Sequence, residues 1–128
     1  MITFIFSERS ERYLALVHPD LVRIARRSLE LTLVDFGVSE GVRTLEKQKQ
    51  LLKSGKSQTL NSRHLTGHAI DICAYPTPKG SWDFPDYELI AAAFKQASSE
   101  LNIPVEWGGD WQTFKDGVHF QLPWSAYP

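Results

Sequence analysis

Apolar residues recur along this chain with two periods, one of two residues and one close to the helical repeat. The period of two is clearest at 69–74, Ala-Ile-Asp-Ile-Cys-Ala. A strand sends successive side chains to opposite faces, so Ile70 and Ile72 share one face and Asp71 lies on the other with Ala69 and Cys73. A second alternation runs from Val118 to Leu122. Val118, Phe120 and Leu122 fall on one face, His119 and Gln121 on the other. Each stretch predicts a strand with an apolar face on the core and an ionisable or polar face turned away from it. Shorter strands are predicted at 34–39, where Phe36 and Val38 share a face, and at 105–107.

The helical period predicts four helices. Ser7 caps the first, over 8–17. Pro19 suits the first position of the second, which runs to 31 and buries Leu21, Val22, Ile24, Ala25 and Leu29. Thr44 caps a third over 45–54, and Gly55 ends it. Asp86 is placed as the cap of a fourth reaching 102, with a stripe from Leu89 to Leu101. The residues 75–85 hold three prolines and a glycine and read as a loop that follows the first strand and walls a cleft. The apolar run 2–6 reads as an edge strand or as an anchor under the core. These elements give an α+β fold, helices packed on a small mainly antiparallel sheet.

Composition adds few constraints. The chain has 128 residues, 42% of them apolar and 23% charged, with a net charge of -1. That suits one soluble domain over 1–128, and no separate second domain is recognisable. No basic excess points to nucleic acid, and the reading is of a monomer. The one cysteine, Cys73, is expected as a small core residue. The N-terminus lacks the basic segment and long apolar run of a signal peptide, and no stretch matches a membrane span. The expectation is synthesis in the cytoplasm without membrane insertion.

The chemistry is concentrated on the polar faces of the two long alternations. Asp71 among small and apolar neighbours needs a partner, because a desolvated lone carboxylate is costly. A metal is one such partner. His64, Asp71 and His119 would supply two imidazoles and a carboxylate, the three-ligand set that leaves a fourth position open. Asp116, three residues before His119, is near enough to act as a general base. Ser62 is placed to hold the loop or a ligand by hydrogen bonding. His68 is read as a site-edge residue in reach of substrate, or as a plain surface residue. Arg43, taken alone, reads as a salt-bridged or surface charge where a strand meets a helix.

The pattern Ser62-x-His64-x-x-Gly67-x-Ala69-x-Asp71, answered by Asp116-x-x-His119, resembles the zinc peptidases of the D-Ala-D-Ala carboxypeptidase or VanY-like group. The nearest look-alikes are the small L-alanyl-D-glutamate peptidases that serve as phage endolysins. Gly41-Val42-Arg43-Thr44 and Trp107-Gly108-Gly109-Asp110-Trp111 belong to the same resemblance. It implies a hedgehog/DD-peptidase fold and one zinc ion on His64, Asp71 and His119. It implies Asp116 as base, and Arg43 as a residue that binds substrate or steadies the oxyanion. It places the Trp107–Trp111 turn beside the cleft, Trp111 shaping it and Asp110 orienting a ligand histidine. Gln121 stands where relatives often carry Glu, which would weaken its hold on a zinc ligand. The implied substrate is the peptidoglycan stem peptide, cut between L-Ala and D-Glu. A lysin made in the host cytoplasm would reach the cell wall or periplasm through a holin pore. Two alternatives stay open: a D-Ala-D-Ala carboxypeptidase or dipeptidase with the same site, and a non-catalytic zinc-binding module.

Overall fold

The structure, a computed structural model, describes residues 3–128. Ile2, at the start of the predicted 2–6 run, lies outside the described residues. Residues 3–6 form no strand, and Phe6 is the anchor, its ring edge-on to Phe36 with centroids 5.6 Å apart. Helices α1 (Glu8–Leu14) and α2 (Pro19–Leu31) precede strand β1 (Asp35–Glu40). Then come α3 (Leu45–Lys53), a 3-10 turn at Arg63–Thr66, β2 (Ala69–Tyr75) and α4 (Phe84–Leu101). The chain closes with β3 (Glu106–Trp107), a second 3-10 turn at Gly108–Asp110, and β4 (His119–Gln121). The sheet order is β1-β2-β4-β3 and every pairing is antiparallel. The fold is α+β.

The alternations behave as read. Phe36, Val38, Ile70, Ile72, Phe120 and Leu122 are buried together with Leu21 and Ile24 of α2 and Ile90 and Phe94 of α4. Burying such side chains stabilises by roughly 1.5–3 kcal/mol each. Arg27 Nε, 2.7 Å from Glu100 Oε1, joins α2 to α4 at the surface. Val38 N–H on the outer edge of β1 donates to Ser10 Oγ at 3.0 Å, so α1 covers that edge.

Three expectations are corrected. Helix α1 stops at Leu14, short of 17, because the chain must leave the helix before His18-Pro19 and the residue before proline avoids helical geometry. His18 then caps α2, its Nδ1 accepting from Asp20 N–H at 3.1 Å. Helix α4 begins at Phe84, before Asp86. Pro85 fits its first turn, where a missing N–H costs nothing, and Asp83 holds the cap position. Asp86 lies inside that turn and accepts from Ser81 Oγ at 2.7 Å. Cys73 is half-buried rather than core, because it shares the face of Asp71, away from α2 and α4.

The register positions the site. Asp71 pairs with His119 across β2 and β4, and with Glu40 across β2 and β1. The β1 pairing slips between Val38 and Glu40, a bulge at Ser39. Without it Ser39 would oppose Asp71; the extra residue brings Glu40 there instead. A second row sets Ala69, Gln121 and Glu106 side by side.

Candidate metal centre and active site

His64 sits on the first 3-10 turn, where Ser62 Oγ accepts from His64 N–H at 3.2 Å. Gly67 ends that turn at a φ of 77°, and a Cβ there would come 2.9 Å from the Leu16 carbonyl oxygen. Only glycine meets both demands without strain. His64 Nδ1 lies 2.8 Å from the Gly41 carbonyl, and His64 Nε2 lies 3.1 Å from Asp71 Oδ1. His119 Nδ1 is 3.3 Å from the same Oδ1, and His119 Nε2 is 2.8 Å from Gln121 Oε1.

These contacts fix the tautomers. A carbonyl only accepts, so His64 carries its proton on Nδ1 toward Gly41. Gln121 Nε2 donates to Glu106 Oε2 at 3.3 Å, so its amide oxygen must face His119 and His119 carries its proton on Nε2. His64 Nε2 and His119 Nδ1 therefore turn lone pairs toward Asp71. The donor atoms of His64, Asp71 and His119 lie within 4.8 Å of one another. Three acceptors facing one point call for a cation between them. The 3.1 and 3.3 Å separations fit the edge of a tetrahedron with ligands about 2.0–2.1 Å from its centre. The residues thus suit a metal ion with a fourth position free. Burial would raise the Asp71 carboxyl, but when the His119 and His64 imidazoles are protonated, their hydrogen bonds and charge hold it far below the usual carboxylate range.

The trio opens on a cleft of about 570 Å³. Asp116, Arg43, Ser62, Trp111 and Gln121 all line it. Asp116 is held by its backbone: its N–H donates to Gly108 O at 3.0 Å and its carbonyl accepts from His119 N–H at 3.2 Å. A Cβ on Gly108 would overlap the Asp116 carbonyl, so the close approach needs glycine. Burial pushes the Asp116 carboxyl up, and the charge of Asp71 adds to the rise. Arg43 is fixed by a fork to Glu40, Nε to Oε1 at 2.7 Å and Nη2 to Oε2 at 2.9 Å. Its Nη1 donates to Gln48 Oε1 at 2.7 Å, and its Nη2 is 3.6 Å from Asp71 Oδ2. The Trp111 ring packs against His119 with centroids 5.2 Å apart.

Three expected positions fall elsewhere. His68 does not line the cleft; it packs against His18, centroids 5.2 Å apart, with Thr66 Oγ1 2.7 Å from its Nδ1. Asp110 does not orient a ligand histidine; it is exposed and pairs with Lys95 Nζ at 2.8 Å. No residue of 75–85 lines the cleft, since that loop leaves from the far end of β2. The walls come instead from the segment after α3, including Lys56, Gln58 and Asn61, and from Thr113, Phe114 and Trp124.

Glu106 was missed. Its Oε2 accepts from both Trp111 Nε1 at 2.8 Å and Gln121 Nε2 at 3.3 Å, so it sets the amide that sets His119. Glu40 and Gln48, the holders of Arg43, were missed too. The acidic residue of a two-residue strand and a glutamine within a helix carry no local signal of such roles.

Residues 2–120 match the model of the phage L-alanyl-D-glutamate peptidase family. The chain belongs to that family. It is 38% identical over 130 residues to the L-alanyl-D-glutamate peptidase of Escherichia phage T5, covering 98% of this chain and 94% of that protein. It is 31% identical to the peptidoglycan L-alanyl-D-glutamate endopeptidase CwlK of Bacillus subtilis (strain 168), over 70% of this chain and 61% of that one. The crystal structure of the Serratia marcescens L-Ala D-Glu endopeptidase ChiX superposes with a TM-score of 0.92 at 51% identity, covering 97% of this chain and 94% of that chain. The chain thus shares the fold of that endopeptidase along nearly its whole length.

Proposed function

We propose that the chain is a zinc-dependent peptidoglycan endopeptidase that cleaves the L-Ala–D-Glu bond of stem peptides. The observation that carries the metal and its chemistry is the convergence of His64 Nε2, His119 Nδ1 and Asp71 Oδ1, lone pairs inward, in the cleft that holds Asp116. The names of the relatives support the choice of bond.

His64, Asp71 and His119 would hold the zinc, which would supply a Lewis acid for the scissile carbonyl and for the attacking water. Asp116 takes the proton of the attacking water on a carboxylate oxygen and passes it to the departing D-Glu amine. Its raised proton affinity suits it to hold that proton between the two transfers. Arg43, fixed by Glu40 and Gln48, offers a preorganised guanidinium to the oxyanion. Trp111 shields His119 and keeps water from that flank.

The phage family model and the phage T5 relative support a role as a phage or prophage endolysin. In that reading the protein is made in the host cytoplasm, passes a holin pore as a monomer and acts at the wall. Among the described residues no helix is long and apolar enough to cross a membrane. Metal analysis with activity on purified peptidoglycan tests the proposal. A single zinc per chain, with activity lost to a chelator and regained with zinc, is expected. Full activity in metal-free protein would contradict it.

A further inference from the structure

The cleft contains a buried cation that the reaction above does not use. Arg63 precedes His64 in the 3-10 turn, lines the cleft and is only 3% exposed. Its Nε donates to the Leu122 carbonyl at 3.2 Å and its Nη2 donates to the Tyr127 carbonyl. The Trp124 ring covers one face of the guanidinium, 3.9 Å from Cζ to the ring centroid. Both acceptors are neutral, and among the described residues no carboxylate lies within ion-pair distance of Arg63. The other cleft cations differ. Arg43 faces Glu40 and Asp71, Lys47 lies 3.2 Å from Glu40, and Lys56 is exposed to water. Arg63 Nη1 has no hydrogen-bond partner among the described residues, yet it is not sealed from solvent.

Burying a charge without a counter-charge is costly. A clamp on the 122–127 segment would need donors but no charge, and a neutral amide would serve. The open nitrogen, the stacked indole and the lack of an acid in contact, Glu106 acting on the guanidinium only from beyond ion-pair distance, together describe a seat for a planar anion. The substrate supplies one. A D-glutamyl residue acylated on its amine keeps two carboxyls, and at most one continues the chain. At least one carboxylate is therefore free on the residue whose amine leaves, whereas L-Ala on the other side has no ionisable side chain.

We propose that Arg63 binds the free carboxylate of the D-Glu residue, marks the leaving-group end of the cleft and selects the acid over its amide. This rests on the reading of the bond cleaved. The test uses two synthetic stem peptides that differ only in a carboxylate or a carboxamide at that position. They are assayed by kcat/KM with wild type, Arg63→Gln and Arg63→Lys. Wild type should prefer the carboxylate about 10- to 100-fold, the span of a charge-assisted hydrogen bond. Arg63→Gln should bring the ratio near one. Arg63→Lys should lower it several-fold, since an ammonium cannot hold two carbonyls and a carboxylate in one plane. Equal rates on both peptides in wild type would overturn the inference. So would an unchanged ratio in either variant, which would leave Arg63 a structural clamp. Should Arg63→Gln not fold, the wild-type ratio and Arg63→Lys decide. Cleavage of neither peptide between L-Ala and D-Glu would overturn the bond assignment and the inference with it.

Discussion

Gln121 Oε1 lies 2.8 Å from His119 Nε2 and thereby decides which nitrogen of His119 faces Asp71. The amide is itself held by Glu106, which also takes the Trp111 indole N–H. A line of hydrogen bonds thus runs from the cleft wall to His119, the proposed metal ligand. An amide between carboxylate and imidazole orients the ring without placing a second charge against it. Glu106→Ala should free Gln121 to flip and weaken metal binding by about 10- to 100-fold. Competition with a chromogenic chelator measures this, and an unchanged affinity would remove Glu106 from the site.

Asp116 touches none of the metal-facing atoms by side chain, so its removal should spare the metal. Asp116→Ala should keep zinc stoichiometry and lose about 10²- to 10⁴-fold in kcat. Because burial raises its carboxyl, the base becomes protonated at a pH above that of an ordinary aspartate. The acidic limb of kcat/KM should fall there in wild type. A limb unaltered by the alanine variant's residual activity, or full turnover in that variant, would deny Asp116 the role.

His119→Ala removes one of three donors and leaves Asp71 Oδ1 with His64 alone. Zinc content after gel filtration should drop to background. A stoichiometry equal to wild type would exclude His119 as a ligand.

Away from the cleft, Asp35 Oδ1 is buried without a partner among the described residues, and burial raises the Asp35 carboxyl. The folded state then holds this proton more tightly than the unfolded chain does. Its charge costs stability above the folded pKa, and the cost is absent below the unfolded value of about 3.9. Asp35→Asn should therefore raise Tm at neutral pH, with the gain vanishing in acid. Equal gains at both pH values would show that the charge is not the cause.

The sheet was legible because its two long strands alternate cleanly. Ile70 and Ile72 in β2, and Phe120 in β4, are fully buried, and Asp71 and His119 emerge on the other face as read. The bulge that turns Glu40 into the site was not legible, because it arises from how β1 seats on β2. Glu106 was hidden for the same reason: its neighbours Gln121 and Trp111 are set by register and by a turn. His68 was read either as a site-edge or as a plain surface residue, and the 3-10 turn with the left-handed Gly67 settles its place by rotating it toward His18. Asp110 was placed by its motif neighbours, while its own 3-10 turn points it at Lys95. Pro85 read as loop because proline excludes helix interiors, a rule that spares the first turn.

The most direct test of the central claim is a mass spectrum of purified peptidoglycan digested with this protein, with and without a chelator. The account predicts new fragments that begin with a free D-Glu amine and that are absent when the metal is removed. Loss of terminal D-Ala alone, or no cleavage by protein that carries its zinc, would contradict it.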